Sequence, residues 1–249
     1  YRQLATSLLQ IENEFYGKIR AKRVIHPGER PLHALRERGV EYVEVRLMDL
    51  DPFCAIGIGA ATIRLLDVFL LHCLLEDSPP DTPQEIAAIG RNQNRVAARG
   101  REPGLRLERH GKEVDLIEWG RQLLAGCEPI AAALDAAHSG SAYRDALAAA
   151  VAALSDPDST PSAHVLREMQ ARHDSSYIRF TVAQSLRHAA DIKRLPLPAE
   201  VEEKFSRLAK DSLEEQRQIE AADTMPFETY RQQYLAPERL NAVAIQRKN

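Results

Sequence analysis

Charge of one sign is not in excess in this chain, and cysteine and tryptophan are scarce. Lys and Arg total 33 against 36 Asp and Glu, a formal charge of −3 over 249 residues. With both signs interspersed, no broad nucleic-acid or membrane surface is expected. The three cysteines, Cys54, Cys73 and Cys127, are widely spaced and form no C-x-x-C pair. They point to neither a zinc site nor a disulfide framework, and read as reduced, mostly packed thiols. The histidines are scattered without H-E-x-x-H or comparable spacing, so a histidine–metal site within the chain is not expected. Neither G-x-x-x-x-G-K-[ST] nor G-x-G-x-x-G occurs, so any ATP site must work without those phosphate cradles. The longest apolar run, Ile56–Leu75, carries Arg64, Asp67 and His72. It reads as a core helix, not a membrane span. No signal peptide is visible, and a cytoplasmic location is expected.

What is present is an ordinary soluble composition, 44% apolar and 28% charged, enough for one large domain or two small ones. The β signal sits in the first fifty residues. In Gln10–Tyr16, Ile11 and Phe15 alternate with Gln10, Glu12, Glu14 and Tyr16, which predicts a strand with one apolar and one polar face. A second run, Glu41–Asp49, places Val43, Val45 and Leu47 on one face and Tyr42, Glu44, Arg46 and Met48 on the other. Between the runs lie a basic stretch (Lys18, Arg20, Lys22, Arg23), a turn at Pro27–Gly28 and a short helix around Pro31–Arg38 stopped by Gly39.

After Pro52 the pattern turns helical. Helices are expected over 60–76 and from about Pro83 to Arg99, the latter closed by Gly100. A hairpin is expected around His110-Gly111 within Leu105–Val114. Ala- and Leu-rich helix follows from Leu116 to Ala153, broken near His138–Gly140. After a loop at Asp156–Pro161, Ser162 reads as an N-cap. Val201, Phe205, Leu208 and Ile219 stripe a late charged helix that Pro226 ends, and the tail beyond about Pro237 reads as loose. No internal repeat stands out. A few strands make a poor sheet alone, so partner strands from outside the chain are expected.

The residues that carry chemistry are Glu12, Glu14, Tyr16, Glu44 and Arg46. Polar faces of two strands converge on one pocket when both strands belong to one curved sheet. Strand-borne carboxylates are hard oxygen ligands of the kind Mg²⁺ takes. Arg46 points the same way as Glu44, and a guanidinium beside a metal-binding carboxylate suits phosphoryl transfer. The plain alternative is a solvated strand face with weak ion pairs. Lys18–Arg23 likewise reads as a solvated loop or as a rim that attracts an anionic substrate. The polar, basic segment Asn92–Arg101 reads as a capped helix end, or as a contact to nucleotide phosphates or to another part of the protein.

At these positions the sequence resembles the proteobacterial glutamate–cysteine ligases. The segments are Leu9-Gln10-Ile11-Glu12-Asn13-Glu14-Phe15-Tyr16 with Ile19–Arg23, and Gly39–Arg46 with Asp49-Leu50-Asp51-Pro52-Phe53. Supporting stretches are Asn92–Leu105, Ser162-Ala163 with Leu166-Arg167 and Met169, and Glu220–Thr224 with Pro226-Phe227. The resemblance implies an α+β, mostly helical chain that forms part of a glutamine synthetase-like curved antiparallel sheet with a large helical C-terminal portion. Residues 1–53 would belong to the active-site sheet and 54–249 to the helical portion packed on it. It further implies ATP-dependent joining of the glutamate γ-carboxylate to the cysteine amine through a γ-glutamyl phosphate, with Mg²⁺ or Mn²⁺. By matching position, Glu44 would be a metal ligand, Arg46 would contact the transferring phosphate or a substrate carboxylate, and Tyr16 would line the cysteine pocket.

Family members carry a further N-terminal half that supplies more metal-binding carboxylates, a histidine and substrate-binding residues. The chain, which begins at Tyr1, is therefore expected to be the C-terminal half of such an enzyme, with little or no activity alone. Two other readings are a related carboxylate–amine ligase with a different amine acceptor and a non-catalytic helical interaction module.

Overall fold

Proline, glycine and short polar caps set most element boundaries. The structure is a computed structural model that describes residues 8, 9, 11, 14, 16–26 and 28–236. The chain divides into two compact units, one formed by residues up to Asp49 together with those from Pro196 onward, the other by Leu50–Leu195. Both contain much helix, and the fold is α+β, with two small antiparallel ribbons among the described residues.

In the first unit, strand β1 (Ile19–Lys22) pairs antiparallel with β2 (Tyr42–Val45). Helix α1 (Pro31–Arg38) lies between them in sequence. Pro31 opens α1, where a missing N–H costs nothing. Gly39, with φ 73°, ends it as the sequence predicts. The crossover is locked by Arg38, which donates to both Glu29 carboxylate oxygens at 2.7 and 2.8 Å and to the Val24 carbonyl at 3.0 Å. The Glu29 carboxylate also accepts from the His26 amide at 2.9 Å. The Arg38 hydrogen bonds first, then that amide, hold Glu29 down at a pKa of about 2.

The strand expected over Gln10–Tyr16 differs. Ile11, Glu14 and Tyr16 lie outside any strand, and Glu14 sits in a 3-10 turn whose amide donates to the Ile11 carbonyl at 3.1 Å. A strand needs a ladder partner for its backbone groups, and a local turn satisfies this one instead. Gln10, Glu12, Asn13 and Phe15 lie outside the described residues. The basic stretch expected as a loop is instead mostly β1.

The same unit contains α8 (Ala199–Ala222) and α9 (Phe227–Leu235). Pro226 caps the start of α9, since α8 has already ended at Ala222. The expected α8 stripe exists, but Phe205, Leu208 and Ile219 are exposed. The buried Arg30 guanidinium lies 5.4 Å from the centroid of the Tyr234 ring on α9, a cation–π distance. The tail expected to be loose lies outside the described residues.

The second unit is built on α2 (Ala60–Leu75), α3 (Pro83–Arg99), α4 (Leu116–His138) and α5 (Ala142–Ser155). Helices α6 (Pro161–Arg172) and α7 (Tyr177–Arg194) complete it. Val68 of α2, Cys127 and Ala131 of α4, and Leu147 of α5 form its core. Among the described residues no helix is long and apolar enough to cross a membrane. Thr82 and Glu85 form a reciprocal capping box at the start of α3. At α6 the cap is Thr160, one step before Pro161, and not Ser162. Thr160 Oγ1 accepts from the Ala163 amide at 3.4 Å, and Pro161 fits the first helical position because it needs no partner for an N–H.

The expected hairpin forms from β3 (Arg106–Arg109) and β4 (Lys112–Asp115). Its turn residues, His110 and Gly111, both have positive φ, 49° and 71°. Two such residues match the right-handed twist of a two-residue hairpin.

In the same unit, Phe53 packs edge-on to His164 and tilted against Phe180, with ring centroids 5.9 and 5.8 Å away. The Pro52 carbonyl accepts from Gln184 Nε2 at 3.0 Å and from His188 Nε2 at 2.8 Å. Because a carbonyl only accepts, this pairing places a proton on His188 Nε2.

Candidate active-site ribbon

The polar face of the β1–β2 ribbon follows from register. Arg20 pairs with Glu44 and Lys22 with Tyr42. Directly paired residues share a face, so Arg20, Lys22, Tyr42 and Glu44 project together. Ile19, Ala21, Val43 and Val45 occupy the other face, which agrees with the alternation expected for β2. Just past β2, the Arg46 amide donates to the Lys18 carbonyl at 2.9 Å, which extends the pairing and keeps Arg46 in line with Glu44.

Three candidate residues meet here. The Arg46 Nε lies 3.1 Å from Glu44 Oε1, and the Arg46 guanidinium stands over the Tyr16 ring, 5.2 Å from its centroid. The second Glu44 oxygen, Oε2, is 3.0 Å from Lys22 Nζ. Hydrogen bonding from Lys22, then the positive charges of Arg46, Lys22 and Arg20, hold the Glu44 carboxyl below its ordinary range against the opposing effect of burial. Glu44 is therefore ionised at neutral pH and ringed by cations. Tyr16 is largely exposed, so one face of its ring meets Arg46 while the side chain remains open to solvent.

Of the other candidates, Glu14 lies in the turn before the ribbon, and Glu12 lies outside the described residues. Lys22, with Arg20 beside it, reads in the sequence only as part of a loop or an anion-attracting rim, and its place on the Glu44 carboxylate is missed there. The signal was present: Ile19 and Ala21 alternate with Arg20 and Lys22 at the period of a strand.

Among the described residues no three His, Cys, Asp or Glu side chains gather as a metal site. Mg²⁺ is commonly held by one or two carboxylates with substrate phosphates and water. The ionised, partly exposed Glu44 carboxylate fits one such position.

The Asn92–Arg101 segment is occupied structurally. Arg91 binds the Glu108 carboxylate through two nitrogens at 2.9 and 2.5 Å, and Arg95 reaches it at 3.0 Å. Arg99 binds Glu102 with both contacts at 2.6 Å. The guanidiniums of Arg91, Arg95 and Arg99 are thus engaged by carboxylates of the same unit.

Comparison with known proteins identifies the surrounding chain. A family profile described as glutamate–cysteine ligase matches residues 1–96. The glutamate–cysteine ligase of Azotobacter vinelandii is 45% identical over 234 residues, 94% of this chain and 44% of its own length. That of Janthinobacterium sp. is 46% identical over 232 residues, 93% of this chain and 44% of its own length. A crystal structure of glutamate–cysteine ligase from Francisella tularensis in complex with AMP matches with a TM-score of 0.85 at 31% identity, over 95% of this chain and 46% of that one. Over nearly its whole length the chain is similar to these glutamate–cysteine ligases, and it spans a little under half the length of the relatives it matches.

Proposed function

We propose that the chain forms the C-terminal half of a cytoplasmic glutamate–cysteine ligase and contributes one wall of its active site. The observation that carries this reading is the Arg46 guanidinium joined to Glu44 at 3.1 Å and laid over Tyr16 at 5.2 Å. In the reaction, an oxygen of the glutamate γ-carboxylate takes the γ-phosphoryl group of ATP, giving γ-glutamyl phosphate and ADP. The cysteine amine then attacks the acyl carbon, and phosphate leaves with the carbon–oxygen bonding pair.

Each residue has a role in this scheme. Arg46 offers planar donors to the transferring phosphoryl group, a positive charge already in place where negative charge is carried. Tyr16 lines the side where cysteine enters. Glu44 supplies a carboxylate oxygen to Mg²⁺ or Mn²⁺, and a metal held there would neutralise phosphate charge. In this reading the remaining ligands, the ATP contacts and the strands that extend the two-stranded ribbon come from the N-terminal half of the relatives. The exposed Ile19, Tyr42 and Val43 side chains fit a ribbon that continues into a larger sheet.

A coupled assay of ADP release with Mg-ATP, glutamate and cysteine tests the reading. The chain alone is expected to turn over little or not at all. Mixing it with a polypeptide covering the first half of the Azotobacter vinelandii ligase is expected to restore turnover, and to lose it again with Arg46→Ala. Turnover in the mixture that is indifferent to Arg46→Ala would overturn the assignment. Faster ADP release with another amino acid than with cysteine would support the related-ligase reading.

A further inference from the structure

Glu44 holds two cations at once, and they differ. Arg46 approaches Oε1 at 3.1 Å from two residues along the same strand direction. Lys22 approaches Oε2 at 3.0 Å from across the ribbon, diagonal to the Arg20–Glu44 pair. Arg20, the directly paired residue, acts on Glu44 through its charge. The side chains of Lys22 and Glu44 are each about one-third exposed, 32% and 36%.

A lysine ammonium and a divalent cation compete for the same carboxylate oxygen. We propose that Lys22 is a positioning residue: its ammonium occupies Glu44 Oε2 while no metal is bound, keeps that oxygen aimed from the ribbon, and gives it up when a divalent cation arrives. The inference rests on the reading of Glu44 as a metal ligand. The geometry favours Lys22 over Arg46 as the exchanging partner. Arg46 is held on its other side by the Tyr16 ring, and a guanidinium is the less mobile of the two groups. Lysine's ammonium is a point charge on a flexible stem. Once released, it remains on the same face of β1, where a phosphate anion is its natural counterion.

The scheme makes a prediction of unusual sign, because removing a side chain beside the site should tighten metal binding. The probe is Mn²⁺ in the presence of ATP, with binding measured by electron paramagnetic resonance on the chain mixed with the polypeptide covering the first half of the Azotobacter vinelandii ligase. Lys22→Met is expected to bind Mn²⁺ about two- to fivefold more tightly than the unaltered chain, the range an exposed ion pair supports. Arg20→Gln, which removes equal charge without vacating Oε2, is expected to change affinity by less than about half that factor, as screened charge allows. Lys22→Arg, which keeps a less mobile cation on Oε2, is expected to bind Mn²⁺ no more tightly than the unaltered chain, and circular dichroism checks the fold of each variant.

Equal tightening by Lys22→Met and Arg20→Gln would overturn the exchange, since charge alone would then account for it. Unchanged or weaker binding by a folded Lys22→Met would overturn it as well, while loss of binding in Glu44→Gln would leave the ligand reading standing. Binding that Glu44→Gln leaves unchanged would overturn both.

Discussion

The side-chain amide of Asn92 makes both hydrogen bonds of a β-ladder pair with the backbone of Glu108. Asn92 Nδ2 donates to the Glu108 carbonyl at 2.7 Å, and Asn92 Oδ1 accepts from the Glu108 amide at 2.8 Å. One buried side chain on α3 thus satisfies an edge of the β3–β4 hairpin. Asn92→Leu leaves both half-buried backbone groups of Glu108 without these partners, which costs up to about 1–3 kcal/mol for such a group. Urea unfolding of the chain should show that loss, and a midpoint within error of the parent would show the pairing to be unimportant.

Asp135 does similar work from the end of α4. Its carboxylate, 2% exposed, accepts from the Tyr143 amide at 2.8 Å and from Arg144 through its amide at 3.2 Å and its Nε at 2.8 Å. It therefore caps α5 from a neighbouring helix. Burial pushes its pKa up, but the Arg144 side chain and the two amides more than reverse this, so it lies below 3.8. A depressed carboxyl contributes stability that is complete above its unfolded pKa and fades as pH falls through the folded value. Asp135→Asn should therefore lower Tm at pH 7 and flatten the acid limb of Tm against pH below about 4. Parallel acid limbs would contradict the capping role.

Glu29 gives the first unit its own acid signature. With its carboxyl near 2 against an ordinary 4.5, its pairing with Arg38 is intact above pH 4.5 and lost progressively towards pH 2. Nuclear magnetic resonance titration of the side-chain carboxyl should place the midpoint near 2, and Arg38→Met should return it towards 4.5. A midpoint near 4.5 in the unaltered chain would remove the crossover lock.

Most helix boundaries were legible because their causes are local. Thr82-Pro83-Gln84-Glu85 contains both halves of a capping box, and His110-Gly111 supplies a turn that needs two positive φ values. The ribbon was half legible: the alternation at Tyr42–Arg46 predicted its polar face, while the equal alternation at Ile19–Lys22 was masked by the high charge of that stretch. What the sequence could not reveal was the pairing register. Only register places Arg20 opposite Glu44 and lets Lys22 reach its carboxylate across the strands. The strand reading of Gln10–Tyr16 does not hold at Ile11, Glu14 and Tyr16, because alternation does not guarantee a ladder partner and the Ile11–Glu14 hydrogen bond competes locally.

Two glycines of α4 separate backbone propensity from packing. A Cβ at Gly120 would lie 2.8 Å from Leu154 Cδ2, the movable end of a side chain. A Cβ at Gly126 would lie 2.7 Å from Cε1 of the buried His72 ring. Alanine in place of glycine within a helix gains about 1 kcal/mol, whereas overpacking a fixed neighbour costs about 1–3 kcal/mol. Gly120→Ala should thus be neutral or stabilising and Gly126→Ala destabilising in denaturant unfolding. The reverse order would place the freedom at His72 and not at Leu154.

Arg46 is the residue on which activity should depend most steeply. Its guanidinium serves Glu44 and Tyr16 simultaneously, and that requires a planar group with several donors. Arg46→Lys keeps the charge but cannot stack on the ring and hold a bidentate anion together. If the proposed function holds, in the mixture with the first half of a relative the loss of one preorganised donor to the transferring group is expected to lower kcat by about 10²- to 10³-fold. The KM for glutamate should then change far less, because a donor in that role acts on charge carried during phosphoryl transfer. Steady-state kinetics at saturating Mg-ATP would read both constants. A rise in KM at constant kcat would move Arg46 from the phosphoryl group to ground-state binding of a substrate carboxylate.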